Sequence, residues 1–270
     1  AAVQAQTSSR LGTMLARHWM EPVAALGLLV GVLALKPGFA GLTVALLALW
    51  GGAPLWAWWV SRPRANQGPA MPSPADARLL HAIAFESWQR FERCVTAGDN
   101  HLPPDNLQIS PHEMLAHRTS PTNIGLYLLS TACACEFGWI TRQQLIVRLQ
   151  ATLGTLDHME RYRGHFFNWY DTQTCAPLAP RYVSTVDSGN LSGHMLATAQ
   201  ACLEMADKAR RVDDHPLAME LQVLADRLEQ MAWQPEFAFL YHPKRHLFHI
   251  GYRWPDQQVD PGFYDLLASE

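Results

Sequence analysis

The stretch "SPTNIGLYLLSTACACEFGW", residues 120–139, has the pattern of a helix that is buried on nearly every side. Ser120 is a typical N-cap, Pro121 suits the first helical position, and Gly138 follows the expected end. Between them the side chains are apolar or small around almost the whole helix. Such a helix needs neighbours on all sides, so the stretch predicts an inner helix of a layered helical domain.

The helix that follows has a different pattern. Thr141 and Gln144 are spaced as in a capping box, which marks the start of a helix. One stripe then repeats at helical spacing, formed by Leu145, Leu149, Leu153 and Leu156. The pattern predicts an outer helix with one face buried and the other exposed.

The alternation of inner and outer helices recurs along the chain. Residues 190–206 are small and weakly amphipathic, like an inner helix, whereas residues 214–232 and 76–96 carry single apolar stripes, like outer helices. Residues 239–253 predict a β-hairpin around Pro243 and Lys244, and a further helix is expected to begin near residue 260. Alternating inner and outer helices suit a closed double ring. The expected fold is an all-α, incomplete (α/α)6 toroid with a small β-hairpin, because about five helices cannot close six pairs.

The loop between the second outer helix and the second inner helix is rich in aromatic and polar residues. It reads "GHFFNWYDTQTCAPLAPRYVSTVDSGN", residues 164–190. A solvated linker does not need the aromatic rings of Phe166, Phe167, Trp169 and Tyr170, and a core does not favour the Asp and Asn side chains unless they find partners. The mixture predicts a cleft at the mouth of the ring that stacks on, and hydrogen-bonds to, a flat polar ligand. Phe166 and Phe167 are expected to plug the ring instead.

The first quarter of the chain has the composition of a membrane segment. Residues 38–60 form a run of 23 uncharged residues, long enough as a helix to cross a bilayer, and residues 22–35 form a shorter apolar run. Arg residues lie on both outer flanks, which favours a hairpin with both ends in the cytoplasm. A signal peptide and a buried soluble hairpin are the alternative interpretations. The expected organisation is an N-terminal flank at 1–18, two transmembrane helices within 19–60, a linker at 61–75 and the ring domain at 76–270.

Composition excludes several other classes of protein. The net charge of −3 provides no basic surface for nucleic acid, and five Cys without a CxxC pair indicate buried thiols rather than a disulfide framework. The twelve His include no HExxH motif, and Pro243 keeps His242, His246 and His249 off one helix face. We therefore predict no metal site.

Five segments resemble the bacterial cyclic β-1,2-glucan synthases, in the order of that family. They are "HRTSPTNIGLYLLSTACACEFGWI" (117–140), "RGHFFNWYDT" (163–172), "YVSTVDSGNLSGHM" (182–195), "LFHIGYR" (247–253) and "FYDLLASE" (263–270). The resemblance implies a piece of a large inner-membrane protein, containing the last membrane helices and the first half of the central domain that cyclises linear β-1,2-glucan by transglycosylation. It further implies that the ring domain lies in the cytoplasm and that the partners are the glucan chain, the inner membrane and the rest of the same polypeptide. No cofactor is expected in this region, and UDP-glucose is implied only for a glycosyltransferase region that these residues do not contain.

The residue types of the loops suggest which side chains would contact a glucan. Aromatic rings cover the flat faces of sugars, and rigid polar side chains bind their hydroxyl groups. The candidates for substrate binding are Arg118, Asn123, Trp169, Tyr170, Asp171, Asp187 and Asn190. Asp187 could instead cap the following helix, and Arg118 and Asn123 could instead bind loop carbonyls.

Retaining glycosyl transfer uses two carboxyl groups about 5 Å apart. Glu270 and Asp187 are the candidates in this chain, although the resemblance places the main carboxylates of the family further downstream. The chain alone is therefore expected to be inactive.

Two other functions fit parts of the pattern. A non-catalytic, membrane-tethered scaffold would have regular Leu-rich repeats and polar loops without aromatic residues, in contrast to the irregular spacing and aromatic loops of this chain. Another (α/α)6 carbohydrate-active enzyme, such as a hydrolase, an epimerase or a lyase, would share the fold, and a substrate screen would distinguish it.

Overall fold

The computed structural model describes residues 11–36, 38, 40–60 and 72–264. These residues form two compact units, divided between Ser73 and Pro74. The predicted linker lies mostly outside the described residues. Most of the helix expected near residue 260 also lies outside them, and so does Glu270.

The first unit consists of apolar helices. They are α1 (Leu11–Arg17), α2 (Met20–Leu35), α3 (Ala40–Gly51) and α4 (Ala53–Val60). α2 packs against α3, and a Cβ atom at Gly51 would lie 3.3 Å from the Cβ of Ala25. Most of the large apolar side chains of this unit are exposed.

The predicted continuous helix over 38–60 is wrong. α3 and α4 meet at a 45° bend, because two successive glycines stand at the junction and Pro54 has no N–H to continue the helical hydrogen bonds. Among the described residues no single helix is long and apolar enough to span a bilayer, whereas α3 and α4 together satisfy the length and composition.

The second unit alternates outer and inner helices. α5 (Pro74–Cys94), α7 (Arg142–His158) and α9 (His215–Ala232) are amphipathic, and α6 (Pro121–Glu136) and α8 (Thr185–Arg210) are the inner pair. α6 packs against α8, and each also contacts an outer helix that adjoins it in the chain. The predicted succession of helices is therefore present, and the leucine stripe of α7 is fully buried.

Side-chain caps fix where the helices of the second unit begin. Ser120 accepts the backbone N–H of Asn123, Thr141 and Gln144 form the predicted capping box, and Asp214 accepts the N–H of Leu217. α8 begins at Thr185 with Ser184 as its N-cap, five residues earlier than predicted. Asp187 and Asn190 therefore lie in the first turns of α8, not in a loop.

The inner helices are not buried all round, contrary to the prediction. Leu126 of α6 is 43% exposed, and Cys133 is also exposed. On the opposite side α6 and α8 approach closely at Gly125, where a Cβ atom would lie 2.8 Å from the Nδ1 of His194. Each inner helix therefore has one closely packed side and one open side.

Short antiparallel strands connect the helices. The pairs are β1 (Leu107–Gln108) with β2 (Met114–Leu115), β3 (Arg118–Thr119) with β6 (Tyr170–Asp171), β4 (Arg161–Tyr162) with β5 (His165–Phe166), and β8 (Tyr241–His242) with β9 (Leu247–Phe248). A three-stranded sheet has the order β11 (Gln258–Val259), β10 (Gly251–Arg253), β7 (Tyr182–Ser184). The predicted hairpin is present but short, because residues 251–253 pair with β7 and β11 instead.

Candidate functional site

The N-termini of the two inner helices meet in a cluster of polar side chains. Thr122 Oγ1 donates a hydrogen bond to Asp187 Oδ1, and Asn190 Nδ2 donates to Thr122 Oγ1 at 3.2 Å. The three side chains are half-buried. The cluster thus forms a relay from Asn190 through Thr122 to Asp187 at the open rim between α6 and α8.

Asp187 occupies the third position of α8. Its backbone N–H donates to Ser184 Oγ at 3.2 Å, so Ser184, not Asp187, caps the helix. The alternative interpretation of Asp187 as the cap is therefore wrong. A carboxylate in the first turn is stabilised by the positive end of the helix dipole, and this one remains accessible enough to accept further hydrogen bonds.

Two strands beside this cluster place aromatic and charged side chains in alternation. In the β3–β6 pair, Arg118 lies opposite Asp171, and Thr119 lies opposite Tyr170. Successive side chains of a strand point to opposite faces, so Thr119 and Tyr170 point into the core and Arg118 and Asp171 point outward. The register explains which of the predicted residues reach the rim.

Tyr170 belongs to the core, which corrects the prediction that it stacks on a ligand. Its ring is 0% exposed, its hydroxyl donates to the carbonyl of Glu160 at 2.6 Å, and it accepts the N–H of Phe167 at 2.8 Å. Burial raises the pKa of this phenol. Phe166 and Phe167 are also buried, as predicted.

Trp169 retains exposure at the rim. The guanidinium carbon of Arg118 lies 4.9 Å from the centroid of its ring, and the same guanidinium donates from Nε and Nη2 to Asp105 Oδ2 at 3.0 and 2.8 Å. Arg118 is thereby held between a carboxylate and an indole. Stacking of a sugar on Trp169 stays a prediction, as does hydroxyl binding by Arg118.

Asp171 holds the turn that follows β6. Its Oδ1 accepts the backbone N–H groups of Gln173 and Thr174 at 2.9 and 2.8 Å, and the Thr174 hydroxyl at 3.0 Å. The hydrogen bond from the Thr174 backbone is the main reason that the pKa of this carboxyl lies below its ordinary value. Three donors already engage one of its two oxygens. Hydroxyl recognition by Asp171 stays a prediction, as does that by half-buried Asn123, whose backbone N–H donates to the Ser120 cap.

A second polar network near the rim was not predicted. Asp99 is 5% exposed, and its Oδ1 accepts from His117 Nδ1 at 2.7 Å and from Thr172 Oγ1 at 2.6 Å. A carboxylate can only accept, so Nδ1 carries the proton and the imidazole is held in one orientation. The position of His117 directly before Arg118 was the only signal in the sequence, while Asp99 and Thr122 look like ordinary loop and helix residues.

The remaining candidates concern metals and the second carboxylate. Within the described ranges no three His, Cys, Asp or Glu side chains converge as metal ligands would. His246 Nδ1 instead bonds to Tyr241 Oη at 2.9 Å, and His249 Nδ1 donates to the carbonyl of Asp260 at 2.6 Å. Glu270, the other candidate for catalysis, lies outside the described residues.

Comparison with known proteins shows what the chain is similar to in sequence. No family model matches the chain. Over 209 residues, 77% of this chain, it is 44% identical to the cyclic beta-(1,2)-glucan synthase of Rhizobium meliloti, of whose length the match covers 7%. The resemblance that the five motifs indicated is confirmed, as similarity to a small segment of that synthase.

Comparison of structures identifies the fold. A glucoamylase-like protein from Bacteroides fragilis aligns with 71% of this chain and 43% of its own at a TM-score of 0.54 and 14% identity. An endo-beta-1,2-glucanase from Chitinophaga pinensis aligns with 70% of this chain and 44% of its own at a TM-score of 0.51 and 15% identity. The second unit is therefore part of an (α/α)6 toroid, as predicted; at such identities the likeness concerns the fold alone.

Proposed function

We propose that the second unit binds linear β-1,2-glucan across the rim where α6 and α8 begin, and that it is part of the domain that cyclises this glucan by transglycosylation in a membrane-bound synthase. The observation that carries the proposal is the relay of Asn190, Thr122 and Asp187 at the joined helix N-termini. The similarity to a glucan synthase supports the choice of substrate.

The chemistry of the rim suits a neutral polysaccharide. A glucan presents apolar C–H faces and hydroxyl groups, each of which donates and accepts. Trp169 offers a ring to the faces, while Arg118 donates, Asp187 accepts and Asn190 does both. Because Asp105 neutralises Arg118, the rim has no excess positive charge that would favour an anion.

Transglycosylation needs a nucleophile and an acid that later acts as a base. One carboxylate attacks the anomeric carbon while the other protonates the departing oxygen, and a hydroxyl of the same chain then displaces the enzyme. We assign Asp187 the binding of hydroxyl groups at this site, and a catalytic role only together with a carboxyl group about 5 Å away. That group is Glu270 or comes from the rest of the polypeptide.

We further propose that the first unit is held in the bacterial inner membrane and that the second unit lies in the cytoplasm. α3 and α4 contain 12 and 8 residues, about 30 Å of helix if straight, which matches the hydrocarbon core. Arg62 and Arg64 follow α4. A reporter that is active only in the periplasm, fused after Arg64, should be silent; strong activity would contradict this topology.

Binding tests the proposed function in the chain itself. Linear β-1,2-glucan titrated onto the full chain should quench tryptophan fluorescence, and Asp187→Asn should weaken binding about 10-fold or more, because a hydrogen bond to a charged group is lost. Asp226→Asn, an exposed carboxylate on α9, is the matched control. A folded chain that binds no β-1,2-glucan would contradict the proposal, and equal binding of other β-glucans would indicate a different carbohydrate-active enzyme.

A further inference from the structure

A cavity of about 520 Å³ lies away from the rim cluster, on the flank of the three-stranded sheet. Its walls include the rings of Tyr162, Phe239 and Tyr252 and the polar side chains of Arg163, Gln257 and Gln258. We call it the aromatic–amide pocket. The volume falls within the range of roughly 300–1,000 Å³ that is usual for small-molecule sites.

The aromatic wall of the pocket is rigid. Tyr162 and Tyr252 stack with centroids 5.0 Å apart and planes 4° apart, and Phe239 meets both rings edge-on. The Tyr162 and Tyr252 hydroxyl oxygens lie 3.3 Å apart and share one hydrogen bond, so one of the two phenol protons remains available for another acceptor. A preformed wall of this kind loses little conformational entropy when it binds a ligand.

The polar wall of the pocket is close to neutral. The guanidinium of Arg163 lies over the rings of Tyr162 and Phe239, and its Nη1 is 3.9 Å from Glu236 Oε2. Gln257 and Gln258 are exposed and each carries an amide that donates and accepts. Because Glu236 offsets the charge of Arg163, this wall of amides and a phenol suits the hydroxyl groups of an uncharged polyol better than it suits an anion.

Two residues of this wall have left-handed backbones without being glycine. Arg163 has φ 49° and Gln257 has φ 51°. A non-glycine residue in this region of backbone conformation is strained. Glycine at position 257 would therefore relax the backbone while it removes the amide side chain from the wall.

The pocket is within reach of the rim. Tyr252 pairs with Val183, and antiparallel partners have Cα atoms about 5 Å apart. Asp187 follows Val183 by four positions in the chain, which span at most about 14 Å when extended. The Cα atoms of Tyr252 and Asp187 are thus no more than roughly 20 Å apart, a distance that a long linear glucan can bridge.

We infer that the aromatic–amide pocket is an accessory subsite that holds a stretch of a β-glucan whose neighbouring units occupy the rim. The inference rests on the proposed function. Cyclisation requires two parts of one chain to stay near the site, and a second hold makes the encounter intramolecular and raises the effective concentration. The pocket binds and does not cleave, because its polar wall offers amides, phenols and a guanidinium in place of paired carboxylates.

The length of the ligand separates the two sites experimentally. A short linear β-1,2-glucooligosaccharide reaches the rim alone, whereas a long one reaches both sites. We expect Gln257→Gly to weaken binding of the long ligand to the full chain about 3- to 10-fold, the loss of one or two hydrogen bonds, and to leave the short ligand unchanged. Gln258→Ala, on exposed β11, should act in the same direction.

Asp213→Gly is the matched control. Asp213 has φ 58° and is exposed in the turn between α8 and α9, so glycine relieves the same strain there without touching the pocket. Gln257→Gly should therefore fold at least as well as the wild type. Its binding can be compared with that of Asp213→Gly without a difference in stability.

The outcomes distinguish the inference from the proposed function. If the wild type binds both ligands and neither Gln variant alters the long one, the accessory subsite is wrong while the rim site stands. If Gln257→Gly binds neither the short nor the long ligand, the pocket belongs to the rim site, and its role as a separate subsite is wrong. Displacement of the long ligand by inorganic phosphate from the pocket alone would identify an anion site. A wild type that binds neither ligand contradicts the proposed function itself.

Discussion

The segment from Arg163 to Thr172 supplies two different regions of the second unit, the core beneath the rim and the rim itself. Phe166, Phe167 and Tyr170 are 4%, 1% and 0% exposed, whereas Trp169, between two of them in sequence, remains partly exposed beside Arg118. Aromatic composition alone cannot tell the two regions apart. The register of the β3–β6 pair does, because it turns Tyr170 inward with Thr119 and leaves Arg118 outside.

Truncation of the core side of this segment should have the largest effect. Phe167→Ala is expected to lower the free energy of unfolding by about 3–5 kcal/mol, because the ring packs edge-on against Trp254 and tilted against Tyr170, and a cavity would remain. Urea unfolding of the full chain, followed by near-UV circular dichroism, measures this loss. A loss below about 1 kcal/mol would show that the core can collapse into the cavity at position 167, and that the core and rim sides of this segment differ little in their effect on stability.

Removal of a single hydroxyl group tests the polar side of the same core. Tyr170→Phe leaves the carbonyl of Glu160 and the N–H of Phe167 without the partner that they share. The expected cost is about 1–3 kcal/mol, since buried polar groups lose their hydrogen bonds while the packing is kept. Glucan binding in the folded fraction should be unchanged. If glucan binding is weakened while stability is unchanged, Tyr170 contacts the ligand and not only the core.

The cap of α8 has an intermediate effect. Ser184→Ala removes the acceptor of the Asp187 N–H and should cost about 1 kcal/mol. Because the cap also fixes the first turn that carries Asp187, glucan affinity should fall with it. Ser120→Ala, the equivalent change at α6, is the comparison. If both variants lose the same stability and bind glucan as tightly as the wild type, the caps stabilise the helices but do not contribute to glucan binding.

The part of the fold that could be predicted is the part that depends on the helical spacing of apolar residues and on the capping residues. The stripes of α7 and α9, the Ser120 N-cap and the Thr141 capping box all follow from local sequence. The start of α8 depended on tertiary pairing instead. β7 carries the chain into α8 at Thr185 by pairing with β10, almost 70 residues away, and for that reason the predicted start at residue 190 was five residues too late.

The candidate site was less predictable than the fold. Asp187, Asn190, Trp169 and Arg118 lie where the two inner helices and their incoming strands meet, and their residue types suggested them. Thr122 was missed, although it links Asp187 to Asn190, because a threonine in the first turn of a helix has no distinguishing pattern. The same holds for Asp99, whose partner His117 is 18 residues away.

Asp171 lies on the outward face, where a modest, pH-dependent effect is expected. Its folded-state pKa lies below the ordinary value, so its contribution to stability is present above the unfolded pKa of about 3.8 and is lost as the pH falls through the folded value. Asp171→Asn should cost about 1 kcal/mol or less at pH 7, reduced by solvent screening, and should flatten stability against pH below about pH 4. If the free energy of unfolding of Asp171→Asn still falls with pH below about pH 4 as in the wild type, another group causes the loss of stability in acid.

Trp169→Ala should have the smallest effect on stability and a clear effect on the ligand, which makes it the sharpest test of the contrast within the segment. The change removes a partly exposed ring and one cation–π contact with Arg118, which is worth about 0.5–1 kcal/mol at an exposed site. If the ring stacks on a sugar face, glucan affinity should fall at least as much as in Asp187→Asn, while unfolding stays close to that of the wild type. Trp233→Ala, exposed after α9, controls for the general loss of an indole. A stability loss of several kcal/mol with intact affinity would place Trp169 with Phe167 in the core, and the rim would then bind through its polar relay alone.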